Sequence, residues 1–124
     1  MSGRPSRSRS RGQATVELAL TLPMLVLAFL ALVQVGLLVR DRLAVVHAAR
    51  EAARAASVDP DPRGAVEAAR RTLPDAVVHV GERPAVGEPI TVEVEYRAVT
   101  SVPLVGVLFP DPLFRSRVVM RVER

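Results

Sequence analysis

A carboxylate at position 17 stands at the entrance to a long apolar run, the most chemically telling placement in this 124-residue chain. A charge at the centre of a membrane helix costs on the order of 2.5–3.5 kcal/mol, and less near the interface, so such an acid usually has a partner and a role. Gln13 lies one helical turn before Glu17, and Gly12 lies five residues before it. Position alone is equally compatible with an idle Glu17 among lipid headgroups. Pro23 lacks the N–H that would bond the Ala19 carbonyl and so kinks or loosens a helix, although membrane helices also tolerate harmless prolines. Other chemistry is poorly represented. The chain has no cysteine, which excludes disulfides and thiolate metal sites. His47 and His79 have no Cys, Ser or carboxylate arrangement that forms a nucleophile or a metal site. Glu93 and Glu95 share the outward side of one strand pattern and read as solvated. The sequence therefore predicts no enzyme, no metal, no cofactor and no small-molecule substrate.

The elements that position Glu17 follow from the distribution of charge. Residues 18–39 run 22 positions without a charged side chain. At about 1.5 Å per residue this spans roughly 33 Å, enough to cross a hydrocarbon core of about 30 Å. No other segment is long enough to enclose a helix that is apolar on all sides, so a membrane span is expected. All 17 basic residues are Arg, and Arg4, Arg7, Arg9 and Arg11 precede the run with no acid among them. The rest of the chain balances 13 Arg against 13 acids, so the net charge of +4 belongs to a tail and not to a basic body. That balance argues against nucleic acid as a partner and leaves anionic lipid headgroups for the Arg/Ser tail. The positive-inside rule places the N-terminus in the cytoplasm and the C-terminal part outside. The apolar run exceeds the usual signal-peptide core of about 7–15 residues and ends without a small-residue cleavage site.

The stretch Arg11-Gly12-Gln13-Ala14-Thr15-Val16-Glu17-Leu18-Ala19-Leu20-Thr21-Leu22-Pro23 resembles the start of the TadE-like family, pseudopilins of tight-adherence (Flp-type) pilus systems. The extension Ala48-Ala49-Arg50-Glu51-Ala52-Ala53-Arg54-Ala55-Ala56 is similar to that family's Ala/Arg-rich continuation, so the resemblance covers about residues 11–57. It implies cutting by prepilin peptidase after Gly12, with Gln13 as the new terminus where major type IV pilins begin with Phe. It also implies pilin-like subunits as partners. A neighbouring subunit's N-terminal amine would offer Glu17 an opposite charge at the same depth and so set helix register.

The expected fold class is α+β on a pilin-like plan. Residues 1–12 form a basic leader without a core, residues 13–57 one long helix with 18–39 in the membrane, and residues 58–124 a small extracytoplasmic domain. Beyond the membrane, His47, Arg50, Glu51 and Arg54 fall on one polar helical stripe. Val45, Val46, Ala48, Ala49, Ala52, Ala53 and Ala56 fill a broad opposite face. That face can dock on the chain's own domain, on another subunit, or on each in turn, and Glu51–Arg54 is spaced for a surface ion pair. Asp61-Pro62 reads as N-cap and first residue of a short helix over 62–73, with Val66, Ala69 and Leu73 on one side. A short apolar run predicts a strand at 76–81, and period-2 alternation predicts strands at 90–98 and at 117–123, where Val119 breaks the pattern; the three form an antiparallel sheet. Residues 100–114 read either as a packed loop or as a patch for a partner. Two functions follow: a processed pseudopilin of a pilus or related secretion apparatus, or an unprocessed single-pass anchor with an outer binding domain.

Overall fold

The computed structural model describes residues 7–123. One helix, α1, runs from Arg7 to Val58. Its 52 residues make a rod about 78 Å long. A short helix, α2 (Pro62–Thr72), turns back along α1. Three strands follow: β1 (Val77–Val80), β2 (Pro89–Arg97) and β3 (Leu113–Arg121). They form one antiparallel sheet in the order β1-β2-β3. The α+β plan expected from the sequence is the one observed.

Local chemistry sets the boundaries. The Asp61 side chain accepts the Arg63 N–H at 2.9 Å, and Pro62 takes the first helical position, where its missing N–H costs nothing. α2 stops at Thr72, two residues before Pro74. The inward side of the sheet pairs Ile90 with Met120, Val92 with Val118 and Tyr96 with Phe114, and the β1 residues Val78 and Val80 lie opposite Val94 and Val92.

The core is a three-way contact of small side chains. Ala48, Ala49, Ala52 and Ala53 of α1 are wholly enclosed, together with Ala65 and Ala69 of α2 and Val92 and Val94 of β2. The methyl side chain lets α2 and the sheet approach the same rod from two sides. The Ala face of α1 is therefore occupied by the chain's own domain, and α2 and the sheet share it. The buried face of α2 is Ala65, Ala68 and Ala69, continued by Leu73 just past its end, with Val66 only half-buried.

Several expectations are corrected. α1 begins at Arg7, inside the leader expected to be without structure, because a helix once nucleated extends cheaply through residues that are not Pro. Residues 1–6 lie outside the described residues. β3 begins at Leu113, four residues earlier than the alternation suggested. The nine-residue β2 pairs it along its whole length, down to Arg97 opposite Leu113. Val119 keeps the alternation by facing outward, 56% exposed. Glu93 and Glu95 are paired across the ladder rather than merely solvated. The Arg117 guanidinium donates to Glu93 at 2.8 and 2.9 Å, and Arg115 meets Glu95 at 3.0 Å. The hydrogen bond from Arg117 holds the Glu93 carboxyl below the usual carboxylate range. That support is present above the ordinary Glu pKa and is lost as pH falls through the lowered value. Glu51–Arg54 is not among the ion pairs of the described residues.

Arg83, in the connection between β1 and β2, has a structural role that no pattern revealed. Its guanidinium donates to the carbonyls of Ala56, Ser57 and Asp59 at the C-terminal end of α1, where helical carbonyls have no intrahelical partner. Glu123 donates its N–H to Ser57 O at 2.9 Å, so the β1–β2 connection and the end of β3 are tied to the same turn. An Arg83→Ala change is expected to cost about 1.5–3 kcal/mol, the range for hydrogen bonds to a charged group. Thermal unfolding of the full chain in detergent micelles checks this against Arg70→Ala, which alters an exposed residue of α2. Equal melting of the two variants would remove Arg83 from the scaffold.

Candidate functional site: the membrane-entry segment of the long helix

Gly12, Gln13 and Glu17 lie on the first turns of α1 and are all exposed. The helical repeat brings Gln13 and Glu17 together: Gln13 Nε2 donates to Glu17 Oε1 at 3.3 Å. Thr21 Oγ1 donates to the backbone carbonyl of Glu17 at 2.7 Å. The Glu17 carboxylate thus has a neutral amide one turn below it and lipid-compatible side chains above.

Nothing lies within 4 Å of a Cβ built on Gly12. The fold therefore has no packing need for glycine there, and Gly costs a helix about 1 kcal/mol relative to Ala. The Gly12–Gln13 peptide bond sits within α1, where glycine lowers the cost of local unwinding.

Pro23 lies inside α1, which continues through it without a break in assignment. From Val16 to Phe29 every residue is exposed in the isolated chain, and the described helix carries a window of mean hydropathy 2.6. A surface this apolar over this length matches a bilayer and not water. The stripe residues Arg50, Glu51 and Arg54 are exposed on the same rod, far along its axis from Glu17. Glu51 and Arg54 border the groove between α1 and α2, facing Arg71 and Thr72. The structure does not bring them together with the N-terminal group. Among the described residues no three His, Cys, Asp or Glu side chains cluster as metal ligands would.

Comparison with known proteins bears on this segment. Residues 12–54 match the family model of the TadE-like proteins. The resemblance read from Gly12, Glu17, Pro23 and the Ala/Arg extension is borne out over that span. No curated protein and no solved structure matches the chain. The TadE-like segment begins at Gly12 and ends at Arg54, so it contains the membrane-entry group, the apolar rod and the enclosed alanines. α2 and the sheet lie outside it. The sequence reading missed the role of Arg83 and the burial of Gln34, whose Oε1 is enclosed without a hydrogen-bond partner on the otherwise apolar run. Neither left a periodic signal, because each depends on a chain crossing distant in sequence.

Proposed function

We propose that this chain is a pseudopilin of a tight-adherence pilus or a related secretion apparatus, cut by prepilin peptidase after Gly12. A TadE-like segment on a single N-terminal apolar helix points to a pilus-related membrane protein, and TadE-like proteins are structural rather than enzymatic. The observation that carries the finer reading is the pairing of an unneeded glycine with a membrane-level carboxylate five residues on. Cutting at Gly12 removes the Arg leader that holds the N-terminus in the cytoplasm. It also creates an amine one helical turn from Glu17. Glu17 of one subunit then pairs with the amine of its neighbour, and a costly buried charge becomes a register mark. Pro23 gives the rod a point of compliance where subunits pack.

The test is the mass and first residue of the protein isolated from membranes of cells with active prepilin peptidase. The expected terminus is Gln13. A reporter fused after Arg124 is expected outside the cytoplasm, as the Arg bias before the helix requires. Retention of Met1 or Ser2 would favour the unprocessed anchor, and a cytoplasmic reporter would overturn both the orientation and the pseudopilin reading.

A further inference from the structure

The connection from β2 to β3, residues 98–112, is built in a way that a solvent loop does not need. From Ala98 to Pro110 it contains no charged residue. Its base is closed by the Ala98 N–H to Pro112 O at 3.0 Å and by the Thr100 N–H to Asp111 Oδ1 at 2.9 Å. Val102 and Val105 are buried and hold it from inside. The remaining large side chains point away: Leu104 is 67% exposed, Val107 92% and Leu108 75%, with Phe109 beside them. Leu104 adopts φ 66°, a left-handed conformation that costs a branched L-residue on the order of 1 kcal/mol. The loop is therefore ordered, strained and apolar at its tip.

Its place in the molecule supplies the reason. β3 runs alongside α1 in the same direction, from Phe114 under the Arg42 guanidinium to Glu123 bonded to Ser57. Pro112 and Phe114 line one groove with Leu38, Val39, Arg42 and Leu43. The loop before β3 thus reaches past Arg42 toward the apolar run. There α1 is covered on the membrane side of the domain: Gln34 is 2% exposed, and Leu30, Ala31, Leu37, Leu38 and Asp41 are half-covered. The uncharged run ends at Val39, so this face lies in the half of the span nearer the domain.

We infer that the Leu104–Phe109 tip is a second membrane contact: it inserts into the lipid leaflet beside α1 and fixes how deep and at what tilt the rod sits. The uncharged tip extends from the end of β3 that shares a groove with Leu38, Val39 and Leu43 of the apolar helix, which makes lipid its occupant. Val102 and Val105 brace it from within, and Gln34 is buried on the stretch of α1 toward which the loop runs. The inference rests on the reading of α1 as membrane-spanning.

The chain contains no tryptophan, so single replacements report without background. The full chain is prepared as Leu108→Trp, Leu25→Trp and Val86→Trp. Each is reconstituted into phosphatidylcholine–phosphatidylglycerol vesicles with and without brominated acyl chains. Val86 lies in the turn before β2, at the end of the sheet opposite the loop. Leu25→Trp and Leu108→Trp are expected to emit at shorter wavelength than Val86→Trp and to lose intensity to brominated lipid; Val86→Trp is expected to do neither. If Leu25→Trp is quenched while Leu108→Trp behaves like Val86→Trp, the loop stands in water and the inference is overturned. A blue-shifted but unquenched Leu108→Trp overturns it in favour of a neighbouring subunit covering the tip. Loss of quenching at Leu25 as well would sink the membrane reading itself, and the loop contact with it.

Discussion

A Gly12→Arg chain is expected to insert, fold and keep residues 1–12 entirely, while a Glu17→Ala chain loses them and fails to assemble. The two changes separate steps that share one short stretch of helix. The space around Gly12 is open, so an Arg side chain is accommodated without disturbing the chain itself. Replacing glycine also strengthens the helix by up to about 1 kcal/mol, which makes unwinding around the scissile bond harder. A peptidase that must fit a residue without a side chain then meets both a bulky cation and a firmer helix. Glu17→Ala acts differently. It removes a charge that is costly at membrane depth and breaks the 3.3 Å contact with Gln13. The Thr21 hydrogen bond survives because it goes to the backbone carbonyl of residue 17. Insertion and cutting are therefore expected to proceed, and only register between subunits is lost. Intact mass follows the leader, and the share of subunits recovered in assembled complexes follows register. Normal cutting of Gly12→Arg would sink the processing site, and normal assembly of Glu17→Ala would sink the amine–carboxylate pairing.

Ala52→Leu is expected to be the most destabilising single change in the folded part. Ala52 is wholly enclosed where α1 meets the rest of its domain. Leu is nearly as good a helix former as Ala, so the rod itself loses little. The added atoms have no room unless α2 or the sheet moves away, and overpacking of this kind costs about 1–3 kcal/mol, occasionally more. For a folded part of this size that corresponds to a fall in Tm on the order of 10 °C. The control is Arg50→Leu, which places the same side chain on the exposed stripe. Thermal unfolding in detergent followed by circular dichroism measures both. Equal melting temperatures would mean that the alanine contact is looser than its burial indicates.

Particular elements show how far residue patterns carry. The Asp61-Pro62 pair marked the start of α2, because a cap and a fixed φ are local chemistry. The alternation of Ile90, Val92 and Val94 against Thr91, Glu93 and Glu95 gave β2 and its inward face, because one side of a strand must leave water. The first four residues of β3 escaped the same reasoning. Leu113-Phe114-Arg115-Ser116 carries a weak period, and the ladder with β2 decides its conformation. Arg115 and Arg117 became ion partners of Glu95 and Glu93 only once the register set them directly opposite.

The sequence by itself determined the helix, its membrane-compatible length, the Gly12–Glu17 spacing and the small-residue face from Ala48 to Ala56. Each is a property of one contiguous segment, governed by helical rise, helical period and the cost of charge in lipid. Tertiary structure decided what covers that alanine face, what the carbonyls at the end of α1 bond to, and where the uncharged loop lies. Two layers share one rod because α2 and the sheet both pack on its alanines, which no single segment encodes. Arg83 reaches Ala56 across 27 positions of chain, and the strained Leu104 tip comes level with the apolar run only through the direction of β3. Contacts of this kind depend on how elements cross in space, and residue type and periodicity do not record crossings.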